Sequence, residues 1–89
     1  MSQPTFIIND YHLVMTCSAC PEQYDVYKDG RQVAYLRLRH GRFTVTTPDV
    51  EGYCILDIDG IKSDGMFEDE ARWEFLTLAI QAIDLERRQ

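Results

Sequence analysis

The chain has 89 residues, of which 45% are hydrophobic, and carries a formal net charge of −6. That length leaves room for one core, so residues 1–89 are read as a single domain, and the hydrophobic share excludes the disordered class. The acidic balance argues against a nonspecific grip on DNA or RNA, which needs clustered Lys and Arg to displace phosphate counterions.

Thr5 to Ile8 and Tyr11 to Thr16 are β-branched and aromatic runs separated by the turn-forming pair Asn9-Asp10, which predicts a broken or paired N-terminal strand. Cys17 to Gln23 interrupts the pattern with Ser, Ala and Pro and reads as a tight loop. Tyr24 to Tyr27 then leads into Lys28-Asp29-Gly30-Arg31, and Asp-Gly between alternating runs signals a hairpin, because both turn residues can reach positive φ. On the return strand Val33, Tyr35 and Arg37 alternate with Ala34, Leu36 and Leu38, the period of a strand with two distinct faces. A second turn at Arg39 to Arg42, with Gly41 in the left-handed position, precedes a strand over Phe43 to Thr47. Pro48 to Gly52 makes a third turn, and Tyr53 to Asp57 a last strand before the acidic loop Asp57 to Gly65.

The period then changes. Glu68 to Arg87 contains neither Gly nor Pro, and Trp73, Leu76, Ile80 and Ile83 recur at helical spacing, with acids at the start and arginines at the end as the helix dipole favours. The predicted fold is α+β: an antiparallel meander sheet of four to five strands packed against one C-terminal helix. Trp73, Leu76, Ile80 and Ile83 are expected on the sheet. Phe75, Leu78, Ala82 and Leu85 widen the apolar side beyond what one sheet face requires. Either a second copy of the chain, in a homodimer, or the N-terminal segment covers them.

No apolar run approaches the roughly 20 residues that span a bilayer, and Met1 to Asp10 lacks the pattern of a secretory signal. A soluble cytoplasmic protein that meets no membrane is expected. Three cysteines without a signal favour free thiols or metal ligands over disulfides. Cys17-Ser18-Ala19-Cys20 can aim two sulfurs at one tetrahedral ion, and Cys54 with His40 or His12 would complete a three-sulfur, one-nitrogen set suited to zinc. The competing reading leaves Cys54 as an ordinary strand residue, His40 as a turn residue and the chain without a cofactor. A redox role for the Cys-x-x-Cys pair is disfavoured by the strands on both sides of it.

Charge is unevenly placed along the chain. Lys28 to Arg42 holds five basic residues (Lys28, Arg31, Arg37, Arg39, Arg42) and one acid, whereas Asp49 to Glu74 holds nine acids and two basic residues. Either the two stretches neutralise each other across the fold or one of them docks a partner. The candidate docking residues are Arg31, Arg37, Arg39 and Arg42 on the basic side, and Asp57, Asp59 and Asp64 on the acidic side. Asp57 to Gly65 fails as a calcium loop, because no register supplies the required oxygen ligands with Gly at six and Glu at twelve. There is no Gly-rich phosphate loop and no Gly-x-Ser-x-Gly elbow, so the chain is not expected to be an enzyme.

Two resemblances add to this reading. With Cys17-Ser-Ala-Cys20 in place, Thr47-Pro48-Asp49-Val50-Glu51-Gly52 looks like the second knuckle of a zinc ribbon in which Thr47 and Val50 stand where the sulfurs would be. Such a degenerate ribbon implies nucleic-acid contact through the basic hairpin, with Tyr24, Tyr27, Tyr35 and Phe43 available to stack on bases. Cys17 to Tyr27 together with Tyr35 to Arg42 also resembles small uncharacterised proteins of phages and prophages. That resemblance implies an accessory protein that binds or inhibits a host protein.

Overall fold

A computed structural model describes residues 4–19, 21–62 and 65–88. The elements are β1 (Thr5–Ile8), β2 (Tyr11–Ser18), β3 (Glu22–Lys28), β4 (Arg31–Arg39), β5 (Arg42–Thr47), β6 (Tyr53–Ile58) and α1 (Asp69–Arg87). Each strand pairs antiparallel with its neighbour in sequence, giving one six-stranded meander, with α1 on one face. The class is the α+β meander that the sequence predicts. The strand count rises to six because Thr5 to Ile8 is a paired strand in its own right. No described helix is long and apolar enough to cross a membrane.

Turn chemistry dictates the connections. Asn9 and Asp10, Asp29 and Gly30, and His40 and Gly41 all sit at positive φ, the condition for two-residue hairpin turns whose twist matches that of the strands they join. The segment read as a loop from Cys17 to Gln23 is shorter than its composition suggests. β2 runs to Ser18 and β3 starts at Glu22, with a register shift between Met15 and Cys17 absorbing the irregularity. Between β5 and β6 the chain passes through a cis Thr47–Pro48 peptide and folds back so tightly that a Cβ on Gly52 would lie 1.7 Å from the Thr47 carbonyl oxygen. Only glycine fits there.

Alternation sorts the side chains onto two faces. Tyr11, Leu13, Tyr24, Val26, Leu36, Leu38, Phe43 and Val45 point inward and are buried against Leu76, Ala79, Ile80 and Ile83 of α1. Phe67, from the connection into the helix, fills the remaining gap, 5.2 Å from the Phe43 ring and stacked 5.0 Å from Phe75. Among the described residues no second layer covers the other face.

Six strands spaced ~4.8 Å apart make a sheet more than twice as wide as a helix, so the sheet has to curl if one helix is to serve it. Side chains on opposite flanks of α1 show that it does. Near the C-terminal end, Tyr11 of β2 donates to Asp84 at 3.0 Å while Tyr53 of β6 donates to Glu86. Nearer the N-terminal end, Trp73 meets Phe6 of β1 edge to face at 5.2 Å. Trp73 therefore lies at the rim, half exposed, and Ala79 takes the place expected of it in the core.

Candidate functional site: an arginine pocket on the uncovered sheet face

Antiparallel order places the junction of β2 with β3, the turn at 40–41 and the start of the β6–α1 connection at one end of the sheet, and the turns at 9–10, 29–30 and 48–52 at the other. This division decides which predicted residues can act together.

At the first end, Arg37 and Arg39 of β4 and Arg42 and Thr44 of β5 project from the uncovered face, since Arg37 pairs with Thr44 and Arg39 with Arg42 in the ladder. With His40 and Asp59 they line a shallow pocket of about 440 Å³. Arg42 is held from below: its Nε donates to Asp57 Oδ1 at 2.8 Å and its Nη2 to Asp57 Oδ2 at 2.6 Å. These hydrogen bonds, which outweigh the opposing effect of desolvation, hold the Asp57 carboxyl below its ordinary range. Arg37 and Arg39 have no carboxylate partner among the described residues, and the Nε of Arg37 is buried without an acceptor. A donor in that state costs about 1–3 kcal/mol until something accepts from it.

The charged stretches read from the sequence are thus partly joined and partly split. Asp57 neutralises Arg42, and Asp59 lines the same pocket as the arginines, so these two acids do not form a separate docking face. Arg31 lies at the opposite end of β4, paired with Lys28, and does not belong to the cluster. Asp64 and Cys20 lie outside the described residues.

The described members of the predicted metal set do not converge. Cys17 on β2 and Cys54 on β6 are four strand spacings apart, roughly 19 Å across the sheet, and stand toward opposite ends of it. Their thiols instead face local carbonyls, Cys17 that of Ala19 at 3.5 Å and Cys54 that of Leu56 at 3.3 Å. His40 occupies the β4–β5 turn, and His12 is exposed on β2 between Ile7 and Tyr27. The turn at 48–52, read as a second knuckle, is at the far end from Cys17. Among the described residues no group of three or more His, Cys, Asp or Glu side chains is placed to hold a metal ion. Of the aromatics offered for stacking, Tyr24 and Phe43 are in the core; Tyr27 and Tyr35 are on the uncovered face, where Tyr35 accepts from Gln23 Nε2 at 2.6 Å.

The proposed self-association row is also divided. Phe75 turns toward Phe67 and Phe43 under the curl of the sheet, and Ala82 is half-buried. Leu78 and Leu85 remain exposed, at 44% and 61%.

One constellation was not anticipated from the sequence. Glu22, 1% exposed, accepts from the Phe67 backbone N–H at 2.9 Å, from Arg72 Nε at 2.9 Å and Nη2 at 3.2 Å, and from the Tyr24 hydroxyl. Arg72 donates further to Asp69 at 2.7 Å and to the Phe67 carbonyl at 2.9 Å. Burial, together with the bond to Glu22 and its charge, pushes the Tyr24 phenol well above the ordinary tyrosine range, so it stays a donor. The one signal available was the inward register of Glu22, two residues before Tyr24 and four before Val26: a carboxylate in a core position requires a cation. Both Glu22 oxygens are satisfied by donors within the fold, so this is a structural clasp and the arginine pocket is the candidate site. No family model, no curated protein and no solved structure matches the chain.

Proposed function

We propose that the protein is a small, non-catalytic interaction module that uses the uncovered face of its sheet to dock an anionic segment of a protein partner. The observation that carries this reading is the pocket of Arg37, Arg39 and Arg42, in which two of the three guanidinium groups have no carboxylate of their own among the described residues. A rigid ladder presents them, so little backbone order is lost on binding, and complementary charge supplies speed and selectivity. The resemblance to phage and prophage proteins supports a host protein as the partner, bound or inhibited by occupation of its acidic surface. A location in the cytoplasm accords with such a role.

The test is affinity capture from host lysate with partner identification by mass spectrometry, using the wild type, the Arg37→Glu/Arg39→Glu variant and Arg31→Glu. The partner should be lost from the first variant and retained by the second, with circular dichroism confirming that both are folded. Equal recovery on all three would remove the pocket from the docking surface.

A further inference from the structure

We infer that the group received by the pocket is a phosphoryl monoester carried on a side chain of the partner. This rests on the docking reading above and narrows it to one ligand chemistry.

The molecule itself shows how many guanidinium groups a carboxylate uses at this surface. Asp57 is satisfied by the fork of Arg42 alone, through two parallel bonds. Arg37 and Arg39 line the same pocket with their ion-pairing capacity unused among the described residues. Two forks around one opening set two positive charges against the single negative charge of Asp59, and a phosphoryl group, with three acceptor oxygens and a charge approaching −2, engages both more fully than a second carboxylate, which carries one charge. The buried Nε–H of Arg37 adds a donor that gains an acceptor if the side chain swings over an incoming oxyanion. Thr44, beside Arg37 in the ladder, places a hydroxyl at the rim.

A polyanion fits less well. A nucleic-acid strand needs cations repeated along its track, and beyond this pocket the same face presents Asp25, Gln23, Gln32, Tyr27 and Tyr35 in a chain of net charge −6. One isolated phosphate suits one isolated pocket.

The experiment is an NMR titration that follows the arginine Nε–H resonances. The probes are acetyl-Gly-phosphoserine-Gly-amide, acetyl-Gly-Glu-Gly-amide, inorganic phosphate and a short oligothymidylate. The phosphopeptide should shift Arg37 and Arg39 saturably and bind at least about tenfold more tightly than the glutamate peptide. Arg37→Gln and Arg39→Gln should each weaken it by about tenfold, while Arg31→Gln leaves it unchanged. A glutamate peptide that binds as well as the phosphopeptide overturns the phosphoryl assignment and leaves the docking reading standing. Tighter binding of the oligothymidylate, or of inorganic phosphate, overturns the assignment to a protein side chain. Silence of both arginines toward every probe, in protein with an otherwise native spectrum, overturns the docking reading as well.

Discussion

Glu22 and Arg72 show how one buried charge governs its surroundings. Neither side chain is free to relax into water: the Glu22 side chain is fully buried and that of Arg72 only 14% exposed. Removing one partner strands the other, so Arg72→Met should cost about 3 kcal/mol, at the lower end of the range for buried pairs because Arg72 retains some contact with solvent. In thermal unfolding that loss should lower the midpoint by about 12–24 °C for a domain of this size. The Glu22→Gln/Arg72→Met double variant should recover part of the loss, since no uncompensated charge remains. If the two single effects simply add, the charge argument is wrong. On the surface the Arg42–Asp57 pair makes a different prediction. Asp57 titrates below the unfolded carboxylate value near pH 4, so the pair contributes above that pH and its contribution fades as pH falls through the lowered folded midpoint. Carbon-detected NMR of Asp57 should show that midpoint, and Arg42→Gln should move it up to the ordinary value.

Among the elements, those governed by local chemistry could be read in advance. Asp29-Gly30 announces a hairpin because both residues tolerate positive φ, and both adopt it. The helix declares itself by period, and Leu76, Ile80 and Ile83 are in the core as expected. What the sequence hid depends on partners far along the chain. Glu22 acquires Arg72 across 50 residues, and Arg37, Arg39 and Arg42 separate from Arg31 only once the direction of each strand is known. The curl of the sheet was equally hidden. It brings Phe6 against Trp73 and draws Phe75 toward Phe43 and Phe67, so part of the apolar surplus on α1 is covered by β5 and the connection into the helix. Trp73 is the single tryptophan and reports on the β1 edge directly. Phe6→Ala removes its ring contacts with both Trp73 and Tyr24. The emission of Trp73 should shift to longer wavelength, with a cost of about 2 kcal/mol, below that of truncating a fully buried phenylalanine. Unchanged emission would mean that β1 does not depend on this contact.

Taken whole, the molecule is a run of hairpins closed by a helix. Each strand finds its mate immediately before or after it in the chain, so little loop entropy opposes assembly of the sheet. The helix is different: Arg72 and Glu22 lie 50 residues apart in the chain, with β4, β5 and β6 between them. A tie of that kind is expected to form after the rate-limiting barrier, so that its energy is felt on the way out of the native state and not on the way in. Stopped-flow measurements on Arg72→Met should show an unfolding limb raised by about a hundredfold and a folding limb nearly superimposable on that of the wild type. The clasp between β3 and α1 would then act as a latch, setting how long the protein stays folded while leaving the time it needs to fold almost untouched.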